Sequence, residues 1–169
     1  MAQQPVIMLD NRELTIVHFQ RVDGQSWPFT VRMTLRFGTD KYNLSTQQVH
    51  HLLWLAAVCQ QEDRIIETYG IADRKGKAAY NLALSKRRLT TVLDRLRGFG
   101  VPNDKFDGKL TRALGENFPE SFGKQDEVRD SQDRAVVIFA WVNVQDFIGI
   151  GSSLAVCKFG RSGGGIPVL

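Results

Sequence analysis

Residues 29–37 alternate strictly: Phe29, Val31, Met33, Leu35 and Phe37 are apolar, while Thr30, Arg32, Thr34 and Arg36 are polar. A period of two predicts a half-buried strand, one face on a core and one in water. Upstream, residues 14–22 (LTIVHFQRV) have strand composition and end at the turn signal Asp23-Gly24. The two segments fit a hairpin. The rhythm then changes. Ser45-x-x-Gln48 is a capping box, in which the Ser45 hydroxyl accepts the Gln48 amide and the Gln48 side chain reaches back. Val49, Leu52, Leu53, Ala56 and Ala57 follow at helical spacing. Residues 64–69 (RIIETY) predict a short strand, and 70–77 a polar loop.

A long helix is predicted over 78–97. Leu82, Leu89, Leu93 and Leu96 form its apolar side; Lys86, Arg87, Asp94, Arg95 and Arg97 form its wet side. Gly98 and Gly100 end it, and Pro102 blocks continuation. Residues 109–114 predict another strand and 115–134 a loop. The run AVVIFAWVNV, 135–144, is apolar throughout, as expected of a central strand covered on both faces. Beyond 146 the pattern weakens. One more hairpin is conceivable in FIGIGSSLAVCKFG, followed by SGGG and an apolar tip, Ile166 to Leu169. The tip reads either as a docking segment or as a frayed end.

The predicted order is β-α-β-α-β-β with an extra N-terminal strand and a C-terminal tail. This is an α+β sandwich of two helices on a mixed sheet. Its expected organisation is an N-terminal extension over 1–28, a domain over 29–145 and a C-terminal extension over 146–169. The length of 169 residues, 43% hydrophobic and 24% charged, suits one domain and excludes a disordered chain. Residues 42–61 carry no formal charge but include His50, His51 and several glutamines. The other apolar runs are about half the length a spanning helix needs, so no membrane span is expected. The start, MAQQPVIMLDNRE, has no basic region and only a short apolar run at 6–9, unlike a secretory signal. Cytoplasmic residence, signal-independent export, or a leader absent from this sequence would each fit.

A net charge of +4 favours anionic partners, or is simply solubility charge. Cys59 and Cys157 show no CxxC or zinc spacing; Cys59, within HLLWLAAVC, is expected to be a buried thiol, and a disulfide is the alternative. His50 and His51 point about 100° apart on a helix, a poor metal pair, so one is expected buried and one exposed. His18 has no evident Ser or Cys partner. No nucleophile elbow, Walker loop, HExxH or dinucleotide turn is present, and no catalytic residue, metal or cofactor is expected. Arg32, Arg36, Lys86, Arg87, Arg95 and Arg97 could form a basic face, but no aromatic platform motif is interleaved with them. Nucleic acid is therefore not expected as a partner.

Asp73 precedes the long helix, and Asn81, Ser85 and Arg88 share one of its faces. Such an arrangement could read a zwitterion, the acid taking an ammonium and the guanidinium a carboxylate. Composition and spacing alone favour the plainer alternative, a helix-entry cap with a structural Asp73–Arg88 ion pair.

The segment Asp73-x-x-Gly76, Tyr80-Asn81, Leu84-Ser85-x-x-Arg88 resembles, without a gap, the most specific motif of the OmpA C-terminal-like family of peptidoglycan-associating domains. Flanking it, Phe37-Gly-Thr-Asp40-Lys-Tyr-Asn-Leu44, Gly100-Val-Pro-x-Asp104-Lys, Gly115-Glu-Asn-x-Pro119 and Asp133-Arg134-Ala-Val136 are similar to family segments in the same order. The resemblance covers about residues 30 to 143. It implies a non-catalytic domain that binds the diaminopimelate residue of the peptidoglycan stem peptide and anchors the protein or its partner to the wall, in the periplasm or cell envelope of a Gram-negative bacterium. Asp73 would meet the diaminopimelate ammonium and Arg88 its carboxylate. Asn81 would support the loop or bond the ligand, and Arg134 and Asp40 would line the same pocket.

Three departures stand out. Ile71-Ala72 replace the usual His-Thr, Gly38 stands where an acid is common, and Ala135 replaces a second Arg. They give the alternative its basis: an assembly module on this fold, with a degraded pocket and a protein partner on the N- or C-terminal extension, as in a secretion or phage-like machine.

Overall fold

The computed structural model describes residues 6–19, 29–59, 66–116 and 133–142. Its strands are β1 (Val6–Asp10), β2 (Leu14–Phe19), β3 (Phe29–Arg36), β4 (Ile66–Ile71), β5 (Phe106–Gly115) and β6 (Ala135–Val142); its helices are α1 (Thr46–Cys59) and α2 (Ala78–Gly98). They form one six-stranded sheet in the order β1-β2-β3-β6-β4-β5. Only β4 and β5 run parallel; the other neighbours are antiparallel. The α+β reading is thus the observed architecture, and β2 and β3 are the expected hairpin pair.

The N-terminal region holds two strands where the pattern predicts one. β1 is five residues long, too short to display a period, and it gains its bonds only by pairing with β2. The possible C-terminal hairpin, the apolar tip, Cys157 and most of the loop before β6 lie outside the described residues.

β6 sits near the middle of the sheet and is buried on both faces, as its unbroken apolar run requires. Val136, Ile138 and Ala140 point into the main core with Leu52, Leu55, Leu89 and Val92 of the two helices. The alternate residues Ala135 and Val137 belong to a smaller cluster with Ile71. Opposite β6, Leu35 pairs Val136 and Arg36 pairs Ala135. That register sets Arg134 beside the exit of β3, where the Phe37 amide donates to the Arg134 carbonyl at 2.7 Å.

The capping box of α1 forms as predicted. The Gln48 amide donates to Ser45 Oγ at 3.2 Å, and the Ser45 amide to Gln48 Oε1 at 3.0 Å. The inward stripe of α1, however, includes Gln48, His51, Leu52, Leu55 and Cys59, while Leu53 and Ala57 are only half-buried. The helix is rotated because the Gln48 Nε2 is drawn inward to the carbonyls of Glu13 and Arg36, each at 2.8 Å. A polar residue with two backbone acceptors thus outranks two apolar ones. His51 is buried and His50 half-buried.

α2 also departs from the expected stripe. Leu82 is 47% exposed. The inward face is instead Asn81, Leu84, Ser85, Arg88, Leu89, Val92, Leu93 and Leu96, polar in its first half and apolar in its second. The helix ends in a Schellman motif: the Val101 amide donates to Leu96 O at 3.1 Å and the Gly100 amide to Arg97 O at 2.9 Å. Gly100, at φ 93°, takes the left-handed position such an ending needs.

Close approach of α2 to the sheet depends on Gly70. A Cβ there would stand 2.3 Å from the Ser85 carbonyl oxygen. Ser85 then joins helix to strand, its hydroxyl donating to Leu82 O at 2.8 Å and accepting the Gly115 amide at 2.9 Å.

Candidate functional site

The outgoing ends of β3, β4 and β5 and the incoming end of β6 meet at one end of the sheet, under the first turns of α2. Between them is a cavity of about 210 Å³. All five residues singled out in the sequence border it: Asp40, Asp73, Asn81, Arg88 and Arg134. Tyr80 and Lys75 stand at its exposed edge.

Arg88 forms the floor. It has no exposed surface. Its Nε donates to Lys41 O at 2.9 Å, one terminal nitrogen to Ile71 O at 3.1 Å and the other to Gly38 O at 3.3 Å. A guanidinium has five N–H donors, so these three bonds leave two. The side chain therefore ties the loop after β3 to the end of β4, and its face packs 5.4 Å from the centre of the Phe37 ring. Burial pulls its pKa down to about 10; Asp73 opposes that shift and Arg134 adds to it. The group stays charged at neutral pH.

Asp73 does not pair with Arg88. Its Oδ2 accepts from Arg134 at 3.1 Å, and the two side chains are 10% and 16% exposed. Arg134 is oriented from behind by donation of its Nε to Phe37 O at 3.2 Å. The helix-entry alternative also fails, because the N-cap residue is Lys77 and no side chain caps α2. Asp73 instead keeps Oδ1 without a hydrogen-bond donor among the described residues.

Asn81 is buried at the start of α2 and its Nδ2 donates to Glu116 Oε2 at 2.9 Å. That bond fixes the amide, with Oδ1 as the acceptor turned away from Glu116. Asp40 lies in the loop after β3 with φ 55°, a left-handed conformation that Asp tolerates better than most residues. Its Oδ1 accepts the Tyr80 hydroxyl at 3.1 Å, which raises the Tyr80 pKa.

Two positioning residues, Glu116 and Ser85, appear in the sequence motifs without an assigned ligand role. Glu116 holds Asn81, and its signal was the Gly115-Glu-Asn-x-Pro119 segment. Ser85 sets the height of α2 over the strand ends, and its signal was its place between Asn81 and Arg88 on one face. The departures at Gly38 and Ile71 supply backbone, not side chains, to the site: both carbonyls hold Arg88. The basic residues do not make a single face. Arg36 is turned to the N-terminal hairpin, donating to Thr15 Oγ1 at 2.6 Å and Asn11 O at 3.1 Å. Lys86, Arg87, Arg95 and Arg97 lie on the exposed side of α2. Among the described residues no cluster suited to a metal occurs, and no helix is long and apolar enough to cross a membrane.

The model of the OmpA family matches residues 36–135, a span that holds every residue of this cavity. Outer membrane protein A of Yersinia pseudotuberculosis is 36% identical over 104 residues, 60% of this chain and 29% of the relative. That of Salmonella typhi is 30% identical over 108 residues, 62% of this chain and 30% of the relative. The match thus spans less than a third of these two relatives. Among solved structures, the peptidoglycan-associated lipoprotein from Burkholderia pseudomallei superposes with a TM-score of 0.55 at 27% identity, covering 63% of this chain and 88% of that one. The periplasmic domain of Helicobacter pylori MotB gives a TM-score of 0.55 at 16% identity, covering 91% and 96%, a likeness of fold alone. With its motif residues gathered at one end of the sheet and more than half of its length matched, the chain belongs to the OmpA family.

Proposed function

We propose that this chain is a non-catalytic binder of peptidoglycan, and that the cavity under α2 takes the diaminopimelate residue of the stem peptide. The observation that carries the reading is the separation of charge within one small recess. Asp73, with a free-facing Oδ1, pairs with the half-buried Arg134 and lies near the fully buried Arg88. The diaminopimelate ammonium sits against Asp73 Oδ1, with Asn81 Oδ1 and Asp40 as further acceptors. Its carboxylate is met by Arg134 at the rim and by Arg88 from the floor. Among the described residues Arg134 uses two of its five donors, leaving three for ligand. Each charge-assisted bond contributes roughly 1.5–3 kcal/mol net, so two or three give micromolar to millimolar affinity. Weak single contacts suit a repeating polymer, where multivalency strengthens retention.

The name of the Burkholderia relative, a peptidoglycan-associated lipoprotein, supports peptidoglycan as the polymer. The binding unit is residues 29–145, its place is the periplasm or cell envelope, and its task is to anchor the chain or a partner held by the extensions at 1–28 and 146–169.

Co-sedimentation with diaminopimelate-type sacculi tests this reading. Wild type should pellet with the sacculi, and Asp73→Asn, nearly isosteric, should remain in the supernatant with an unchanged circular dichroism spectrum. Equal retention of the two proteins would refute it.

A further inference from the structure

A second recess, of about 700 Å³, lies on the other side of the loop after β3. Arg134 borders both recesses. Gly38 and Lys41 border the second, while their carbonyl oxygens hold Arg88 in the first. One backbone segment and one guanidinium therefore divide two adjoining spaces. The outer wall of the second recess is the turn Asp10–Glu13 between β1 and β2, which lies outside the residues matched to the family.

This turn is held firmly. Asn11 Oδ1 accepts the amides of Glu13 and Leu14, each at 2.9 Å, and Asn11 Nδ2 donates to Gln47 Oε1 at 3.1 Å. Arg36 and Gln48 bond its carbonyls from below. The recess is thus walled on both sides by fixed backbone.

Its charge is unbalanced. Arg12, Arg36, Lys41 and Arg134 border it, against Asp10 and Glu13. Asp10 is already engaged, accepting the Thr15 hydroxyl at 2.8 Å and lying 4.0 Å from Arg36. Arg12 and Lys41 are exposed and have no side-chain partner among the described residues. The start of α1, where Ser45 and Gln48 line the wall, adds the positive end of a helix dipole. With Arg36 and Arg134 engaged elsewhere, Arg12 and Lys41 remain against Glu13, a small surplus of positive charge that favours an anion.

We propose that it holds a second carboxylate of the same stem peptide, with Arg12 and Lys41 as its cationic partners. This rests on the diaminopimelate reading of the first cavity. In the stem peptide the residue before diaminopimelate is a glutamate joined through its side chain, which leaves its α-carboxylate free. A ligand seated against Asp73 and Arg134 would carry that carboxylate across the dividing guanidinium. The N-terminal hairpin thereby lengthens the recognition site from one residue to two.

Calorimetric titration with three probes tests the proposal: free meso-diaminopimelate, the tripeptide alanyl-γ-glutamyl-diaminopimelate, and the tripeptide with its glutamyl α-carboxylate amidated. Wild type should bind the tripeptide about tenfold more tightly than free diaminopimelate, the gain of one charge-assisted contact. The variant Arg12→Gln, whose residue borders only the second recess, should lose that gain and keep its affinity for free diaminopimelate. Amidation should reproduce the loss in wild type and add nothing in the variant. Undiminished tripeptide binding by the variant, or by the amidated probe, would overturn the second site and leave the first standing. So would a wild type that binds diaminopimelate and tripeptide alike. A wild type that binds no probe would remove both.

Discussion

Truncating Arg88 to alanine should cost this fold about 3 kcal/mol. The side chain donates three hydrogen bonds to the carbonyls of Lys41, Ile71 and Gly38, at 2.9, 3.1 and 3.3 Å. A hydrogen bond involving a charged group contributes about 1.5–3 kcal/mol net, and the longest of the three counts least. Burying the guanidinium works in the opposite direction, as the depression of its pKa to about 10 shows. The lower end of the range is therefore the appropriate one. Removing the side chain also leaves these three carbonyls without that donor, which adds to the cost. Against a typical total stability of about 5–15 kcal/mol, such a loss leaves a folded but weakened domain. Urea unfolding followed by circular dichroism reads it as a lower midpoint at unchanged slope. A change below about 1 kcal/mol would show that Arg88 does not staple the two loops, and the argument from its three bonds would fall. The same reasoning makes Arg88→Ala a poor probe of ligand binding, because stability and affinity would change together. Asp73→Asn keeps shape and volume and separates the two.

Three further outcomes are expected. Gln48→Ala removes the side-chain half of the capping box and two bonds to the carbonyls of Glu13 and Arg36, and should lower stability by about 2 kcal/mol in urea unfolding. Gly70→Ala places a methyl group 2.3 Å from the Ser85 carbonyl, and should destabilise by about 3 kcal/mol or more in the same assay, because backbone on both sides must move. His51 is buried, with Nδ1–H donating to Gln47 O at 2.8 Å, and burial lowers its pKa below the ordinary value of about 6.5. The unfolded chain therefore takes the proton first as pH falls. The contribution of His51 to stability is full above about pH 6.5 and declines as the pH drops from there toward the folded value. The drop in Tm between pH 7.5 and 5.0 should be smaller in His51→Gln than in wild type.

What could be read from the sequence was what local rules determine. The strand at β3, whose polar face nonetheless buries Thr34, the Ser45–Gln48 box and the helix stop at Gly100 are each set by neighbours within a few residues. Their observed forms agree with the reading. The failures lie where a distant partner decides. β1 exists because β2 offers it an edge. The inward stripe of α1 turns because Glu13 and Arg36 present carbonyls to Gln48. Leu82 faces water although it is apolar, because Asn81, Ser85 and Arg88 occupy the inward face of that turn. The candidate site divides in the same way. Asn81 and Arg88 share a face by helical spacing alone, and motif resemblance added Asp40 and Arg134. The pairing of Asp73 with Arg134 rather than Arg88 depends on the register of β3 against β6, which no local pattern encodes. Nor could spacing show that Arg88 is a floor bonded to three carbonyls, or that Glu116 holds Asn81.

The central claim is that the cavity under α2 recognises diaminopimelate. Titrating the isotope-labelled protein with free meso-diaminopimelate, and following amide chemical shifts, tests it most directly. The account predicts saturable shifts at Asp40, Asp73, Asn81, Arg88 and Arg134, with none from Asp73→Asn over the same range. No saturable change in wild type, or the same shifts in both proteins, would contradict it.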